Sequence, residues 1–182
     1  MKLPFDVDKT WTLFLDRDGV INLHYPNDYV KSVEEFIFLE GALDAIRDLS
    51  RVFKRIIVVT NQQGVGKGLM SEADLDLIHE TMRKEVRKYG GCIHAIYAAT
   101  GLASENDIMR KPNIGMALKA KKDFQGLDLT KSVMVGDSVT DLEFGRNAGM
   151  KTVFISQTEE DHPLADITVP SLIDFANLIC NR

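Results

Sequence analysis

Four short stretches of the sequence hold side chains that could act together on a bond: Asp16-Arg17-Asp18, Thr60-Asn61, Arg110-Lys111, and Asp137 with Asp141. Crowded carboxylates repel one another, and the cheapest remedy is a hard divalent cation with oxygen ligands, Mg2+. Asp16 and Asp137 can supply side-chain oxygens to one such ion. With Lys111 and the Thr60 hydroxyl facing it, the pocket becomes positive and rich in donors. Such a pocket suits a phosphoryl group, whose oxygens gain charge during transfer. Asp16 is then the expected nucleophile, forming an aspartyl-phosphate that water cleaves. Asp18, two positions on, can turn back to protonate the leaving group and later deprotonate the water, help that contributes ~10²- to 10⁴-fold. Gly19 permits the tight turn this requires.

These groups need a frame, and the hydrophobic pattern supplies one. Residues 11–15 read as a buried strand, followed by β-branched runs at 55–60, 93–99, 132–137, 151–156 and 165–169, so five or six strands are predicted. Between them, Ala42, Ile46, Leu49 and Phe53 share one helical face, as do Leu75, Ile78, Met82, Val86 and Tyr89. Ser71 with Asp74 reads as a capping box, and Gly90-Gly91 as a stop. A further helix follows Pro112, and Asn147-Ala148-Gly149 ends one that starts after Asp141. Strands alternating with helices predict an α/β fold, a doubly wound and mostly parallel sheet in three layers. No repeat or linker interrupts the pattern, so residues 1–182 are expected to form one domain. Ligands of such sheets bind beyond the carboxyl ends of the strands. The acidic and basic groups fall there: Asp16 and Asp18 after the first strand, Thr60-Asn61 after the second, Arg110-Lys111 in the loop beyond the third, Asp137 and Asp141 after the fourth.

The stretches "DRDGV", Thr60-Asn61, Lys111 before Pro112, and "GDSVTD" resemble, in order, the four motifs of the haloacid dehalogenase superfamily, over residues 12–149. "FLDRDGVIN", "VVTNQQGVGKG", "RKPNIGM" and "VGDSVTD" are similar to its branch of heptose bisphosphate and histidinol-phosphate phosphatases. The resemblance implies Asp16 as nucleophile, Asp18 as acid/base, and Asp16, Asp18 (through its carbonyl) and Asp137 as ligands of one Mg2+. It implies that Thr60 and Lys111 hold the phosphoryl group, that Arg110 recognises substrate, and that Asn61, Gln62 and Gln63 line the site with Thr60. Asp141 would support the metal shell or Lys111. Members of the branch commonly carry a zinc-binding Cys/His loop before the Arg-Lys-Pro; here "AATGLASENDIM" has neither residue, so no zinc is expected. The connections after the first two strands are too short for a large cap domain, leaving an open site.

Other readings are weaker. Asp16 and Asp18 could be a solvated strand exit, Arg110-Lys111 a surface pair, and Asp141 a first-turn acid favoured by the helix dipole. "GVGKG" fails as a P-loop, because Asn61 and Gly68 stand where Gly and Ser or Thr are needed, although Lys67 could touch an anionic substrate. His24, His79, His94 and His162 share no metal spacing; His79 and His94 read as structural, while His24 is placed to reach substrate and Tyr25 to Tyr29 to form a mobile rim. Cys92 and Cys180 read as buried thiols.

Net charge is -5 and no basic stripe occurs, so nucleic acid is not an expected partner. No apolar run approaches the ~20 residues that span a bilayer. A cytoplasmic monomer acting on a small phosphorylated molecule is expected, with a sugar bisphosphate first, heptose 1,7-bisphosphate above all, and histidinol phosphate second. A phospho-aspartate receiver domain is the alternative of another class, though its acceptor Asp would follow the third strand, which here ends "YAAT". A nucleic-acid 3'-phosphatase fits the motifs but is opposed by the acidic charge.

Overall fold

The computed structural model describes residues 3–105, 107–158 and 162–180. Six strands, β1 (Thr12–Leu15), β2 (Arg55–Asn61), β3 (Ala95–Ala99), β4 (Ser132–Gly136), β5 (Lys151–Ile155) and β6 (Ile167–Val169), form one sheet in the order β3-β2-β1-β4-β5-β6, with every pair parallel. Helices α1 (Ala42–Val52), α2 (Gln63–Gly66), α3 (Glu72–Lys88), α4 (Gly115–Asp123), α5 (Val139–Asn147) and α6 (Leu172–Cys180) connect them.

Alternation along the strands explains the three layers, because successive side chains point to opposite faces. Leu13, Leu15, Ile56, Val58, Val133 and Val135 pack toward α1, α3 and α6, whereas Phe14, Ile57, Val59 and Met134 pack toward α4 and α5. A strand covered on both sides has no polar face, which is why the sequence reads as continuous apolar runs. Within α3, Leu75, Ile78, Met82 and Val86 are buried, and Ser71 and Asp74 exchange the two bonds of a capping box.

The expected α/β architecture is present, with several local differences. Tyr89 lies beyond α3 and is exposed. The helix near Asp141 begins earlier, at Val139, because Ser138 caps it and Asp141 reaches back to the cap. Sequence reading did not anticipate α6, whose stripe of Leu172, Phe175, Ala176 and Ile179 packs against α1. Cys92 and Cys180 are exposed rather than buried. Cys180 falls about 100° round the helix from Ile179 and so leaves the apolar stripe. Among the described residues, no helix is long and apolar enough to cross a membrane.

The strand order reverses between β1 and β4: the chain runs outward to β2 and β3, then returns to start β4 on the other side of β1. Such a switch point leaves a crevice at the strands' carboxyl ends. Leu15 pairs with both Val58 and Val135, so the next residue, Asp16, emerges where that crevice opens.

Candidate active site

A cleft at this point is lined by Asp16, Asp18, His24, Thr60, Asn61, Lys111, Asp137 and Asp141, and is rimmed by Tyr25, Asp28 and Tyr29. Its floor is built by the backbone. The Asp16 N–H donates to Val135 O at 2.9 Å, extending the β1–β4 ladder one step and fixing the start of the Asp16 side chain. Gly19 then turns the chain with φ +81. Gly136 leaves room for Asp141, whose Cβ would lie 2.2 Å from any Cβ at position 136.

Lys111 is the electrostatic centre. Its buried ammonium donates to Asp16 Oδ1 at 2.7 Å and to Val59 O at 2.9 Å, and it stands 2.6 Å from Asp141 Oδ1. Burial alone would favour the neutral amine, but Asp141 and Asp16 hold the pKa above its ordinary value. Asp141 is fully buried, and its Oδ2 accepts from the Ser138 N–H at 3.1 Å and hydroxyl at 2.7 Å. Asp141 thus pairs with Lys111 through Oδ1 while Ser138 holds its Oδ2. Asn61 fixes the lysine's backbone: its Oδ1 accepts from Lys111 N–H at 3.0 Å, and its Nδ2 donates to Lys111 O at 3.2 Å.

Asp16, Asp137 and Asp141 each offer an oxygen, and these oxygens lie within 4.8 Å of one another. Burial first, then the neighbouring carboxylates, pushes Asp16 up to about 8 despite Lys111, and Asp137 up to about 6. Acids held this far above their usual range crave positive charge, and hard oxygen donors at this spacing fit a divalent cation such as Mg2+. His24 Nδ1 stands 3.6 Å from Asp137 Oδ2 at the cleft edge.

Asp18 is held differently. Arg17 donates to both its oxygens at 3.0 Å, Asn22 Nδ2 to Oδ1 at 2.9 Å, and Gln62 Nε2 to Oδ2 at 2.7 Å. Burial disfavours its charge, yet Arg17 and these donors keep its pKa below the ordinary carboxylate value. Arg17 itself is fully buried, with Nη1 3.2 Å from His79 Nε2 and its guanidinium 5.9 Å from the Phe36 ring centroid. A guanidinium can only donate, so Nε2 of His79 must be the unprotonated nitrogen. Sequence reasoning missed Arg17 and Asn22 as parts of the site. The signal was an arginine at a buried strand exit, a position that burial forbids without partners.

The cleft gathers Asp16, Asp18, His24, Thr60, Asn61, Lys111 and Asp137 as expected, but its lining does not include Gln62, Gln63 or Arg110. Gln62 is 1% exposed and lies behind the cleft, bonded to Asp18 and Thr60. Gln63 opens α2, and Arg110 is half-buried in the loop before Lys111. Lys67 is exposed, its ammonium 5.3 Å from the Tyr29 ring centroid.

A family model described as "Polynucleotide kinase 3 phosphatase" matches residues 3–176. A D-glycero-alpha-D-manno-heptose-1,7-bisphosphate 7-phosphatase of Mycobacterium bovis is 35% identical over 170 residues, covering 91% of this chain and 90% of its own. The chain belongs to the haloacid dehalogenase superfamily of phosphatases. Within that superfamily it is a homologue of the heptose 1,7-bisphosphate phosphatases. The D-glycero-beta-D-manno-heptose-1,7-bisphosphate 7-phosphatase of Haemophilus influenzae is 33% identical, covering 92% of this chain and 95% of its own. A solved structure of D,D-heptose 1,7-bisphosphate phosphatase from B. bronchiseptica, complexed with magnesium and phosphate, aligns with TM-score 0.85 at 28% identity, over 94% of this chain and 98% of that one. The sheet order and the cleft at the strands' carboxyl ends are those of a haloacid dehalogenase phosphatase core, and among the described residues there is no large cap.

Proposed function

We propose that this chain is a Mg2+-dependent phosphomonoesterase that removes the 7-phosphate of D-glycero-D-manno-heptose 1,7-bisphosphate. The observation carrying the reading is the meeting of Asp16, Asp137 and Lys111 at the sheet's switch point, in a chain whose relatives carry that activity over nearly their whole length.

Asp16, the Asp18 carbonyl and Asp137 would hold the Mg2+, which supplies positive charge to the phosphoryl oxygens; no zinc enters the reading. Thr60 and Lys111 hold the phosphoryl group. A carboxylate oxygen of Asp16 attacks phosphorus, the bond from phosphorus to the sugar oxygen breaks, and that oxygen takes a proton from Asp18. Asp18 then removes a proton from water, whose oxygen attacks the aspartyl-phosphate and frees both Asp16 and inorganic phosphate. The donors around Asp18 in this structure suit the second half of the cycle, in which it acts as base. For the first half its carboxyl must carry a proton, which requires it to leave the Arg17 fork. His24 and Asn61 border the rest of the substrate, and Gln63 and Arg110 meet it from beyond the cleft lining. A substrate truncated in its nonreacting part would lose turnover as well as binding.

Steady-state kinetics on heptose 1,7-bisphosphate in both anomers, histidinol phosphate, hexose phosphates and a 3'-phosphorylated oligonucleotide, with and without Mg2+, test the proposal. A kcat/KM for the heptose at least tenfold above every other compound, abolished by chelator, is expected. Preference for histidinol phosphate or the oligonucleotide would reassign the substrate, and equal weak turnover of all would remove it. A stable aspartyl-phosphate without turnover would instead indicate a signalling receiver.

A further inference from the structure

The Gln62 carboxamide lies behind the cleft between two of its groups, with Nε2 2.7 Å from Asp18 Oδ2 and 2.8 Å from Thr60 Oγ1. Its orientation is dictated by the neighbours. A carboxylate only accepts, so nitrogen and not oxygen must face Asp18. Arg17, which cannot give up its charge, grips both oxygens of that carboxylate and keeps it an acceptor. The amide holds this orientation although Oε1 is buried among the described residues without a partner, because a charge-assisted bond outweighs a neutral one.

Nitrogen has two protons, and the second goes to Thr60. The Thr60 oxygen therefore receives a bond from inside the protein and keeps its own single proton to give. Thr60 is 1% exposed and lines the cleft, so its donor is left for a group in the cleft, and a phosphoryl oxygen is an acceptor. Arg17, Asp18, Gln62 and Thr60 thus form a chain in which each link fixes the direction of the next.

We propose that Gln62 is a positioning residue that aims the Thr60 hydroxyl at the phosphoryl group. This inference rests on Thr60 holding that group. A Gln62 that only fills space would act independently of Thr60, and a double-mutant cycle separates the two. Inorganic phosphate binding in the presence of Mg2+ is measured by calorimetry for the wild type, Gln62→Met, Thr60→Ala and the pair, alongside kcat and KM. Gln62→Met should weaken phosphate about tenfold in the wild type and less than threefold when Thr60 is already Ala. Equal losses in both backgrounds would overturn the proposal. Should Gln62→Met fail to fold, the wild type decides: both Nε2 protons of Gln62, followed by NMR, should exchange slowly and shift on addition of phosphate with Mg2+, and fast exchange or no shift would overturn it. Phosphate binding that shows the coupling in a chain without phosphatase activity would sink the enzymatic reading and leave this one standing.

Discussion

Gly19 and the carboxylate of Asp137 share one volume: a Cβ at position 19 would stand 1.9 Å from Asp137 Oδ2 and 2.4 Å from its Cγ. Gly19→Ala must therefore expel Asp137 as well as strain a residue at φ +81, the latter costing about 1–2 kcal/mol. Misplacement of about 1 Å can cost ~10² in rate, so kcat/KM should fall about a hundredfold, with a weaker apparent affinity for Mg2+. Unchanged Mg2+ dependence would show that Asp137 does not hold the metal.

Asp16→Asn should lower turnover by about 10⁴- to 10⁶-fold, the scale of losing a covalent nucleophile. The fold should survive, because Lys111 keeps Asp141 at 2.6 Å. Circular dichroism and single-turnover trapping of a phosphorylated protein check the two halves. Labelled phosphate on the variant would displace Asp16 from its role.

Metal-free protein should be least stable where its acids ionise. Burial first, then Asp141, raises Asp137 to about 6 and Asp16 to about 8 in the folded state, with Asp137 adding to the rise at Asp16. The folded state thus binds protons more tightly than the unfolded one. Its stability is complete below pH ~4 and is lost as pH rises through those values, by on the order of 1 kcal/mol per pH unit. Denaturant titrations in chelator from pH 4 to 8 should show the wild type losing stability relative to Asp137→Asn as pH rises, the contribution of His79 being common to both. Asp137→Asn should also abolish the rise in melting temperature that Mg2+ gives the wild type at pH 8.

His79 acts with the opposite sign. Burial first, then Arg17, depresses its folded pKa to about 3, against about 6.5 when unfolded. The neutral ring's contribution is complete above pH 6.5 and is lost as pH falls toward 3, at up to about 1.4 kcal/mol per unit. His79→Gln can still accept from Arg17 but does not titrate. Its stability relative to wild type should improve steadily as pH drops from 6.5 to 4; a constant difference would mean that His79 titrates normally.

The sheet and the chemical groups were legible because they are local in sequence. A strand announces itself by β-branched runs, and a carboxylate at its exit stands out against them, so Asp16, Thr60 and Asp137 could be placed without coordinates. The role of Arg17 and the partners of Gln62 could not. Arg17 meets His79 across 62 residues, and Gln62 meets Asp18 across 44; each partner looks ordinary in its own segment, and only tertiary folding makes the pair. The amphipathic stripe of α6 was present in the sequence but followed the last polar strand exit, where no chemistry drew notice to it. Arg110 stands half-buried beside Lys111, which lines the cleft.

Asn61 clasps Lys111 at both its N–H and its carbonyl. The lysine is thereby moored to the end of β2 across 50 residues of chain. A change in the loop that leads to Lys111 must overcome both of these bonds before the reactive centre shifts. One amide thus lends the far loop the rigidity of a central strand.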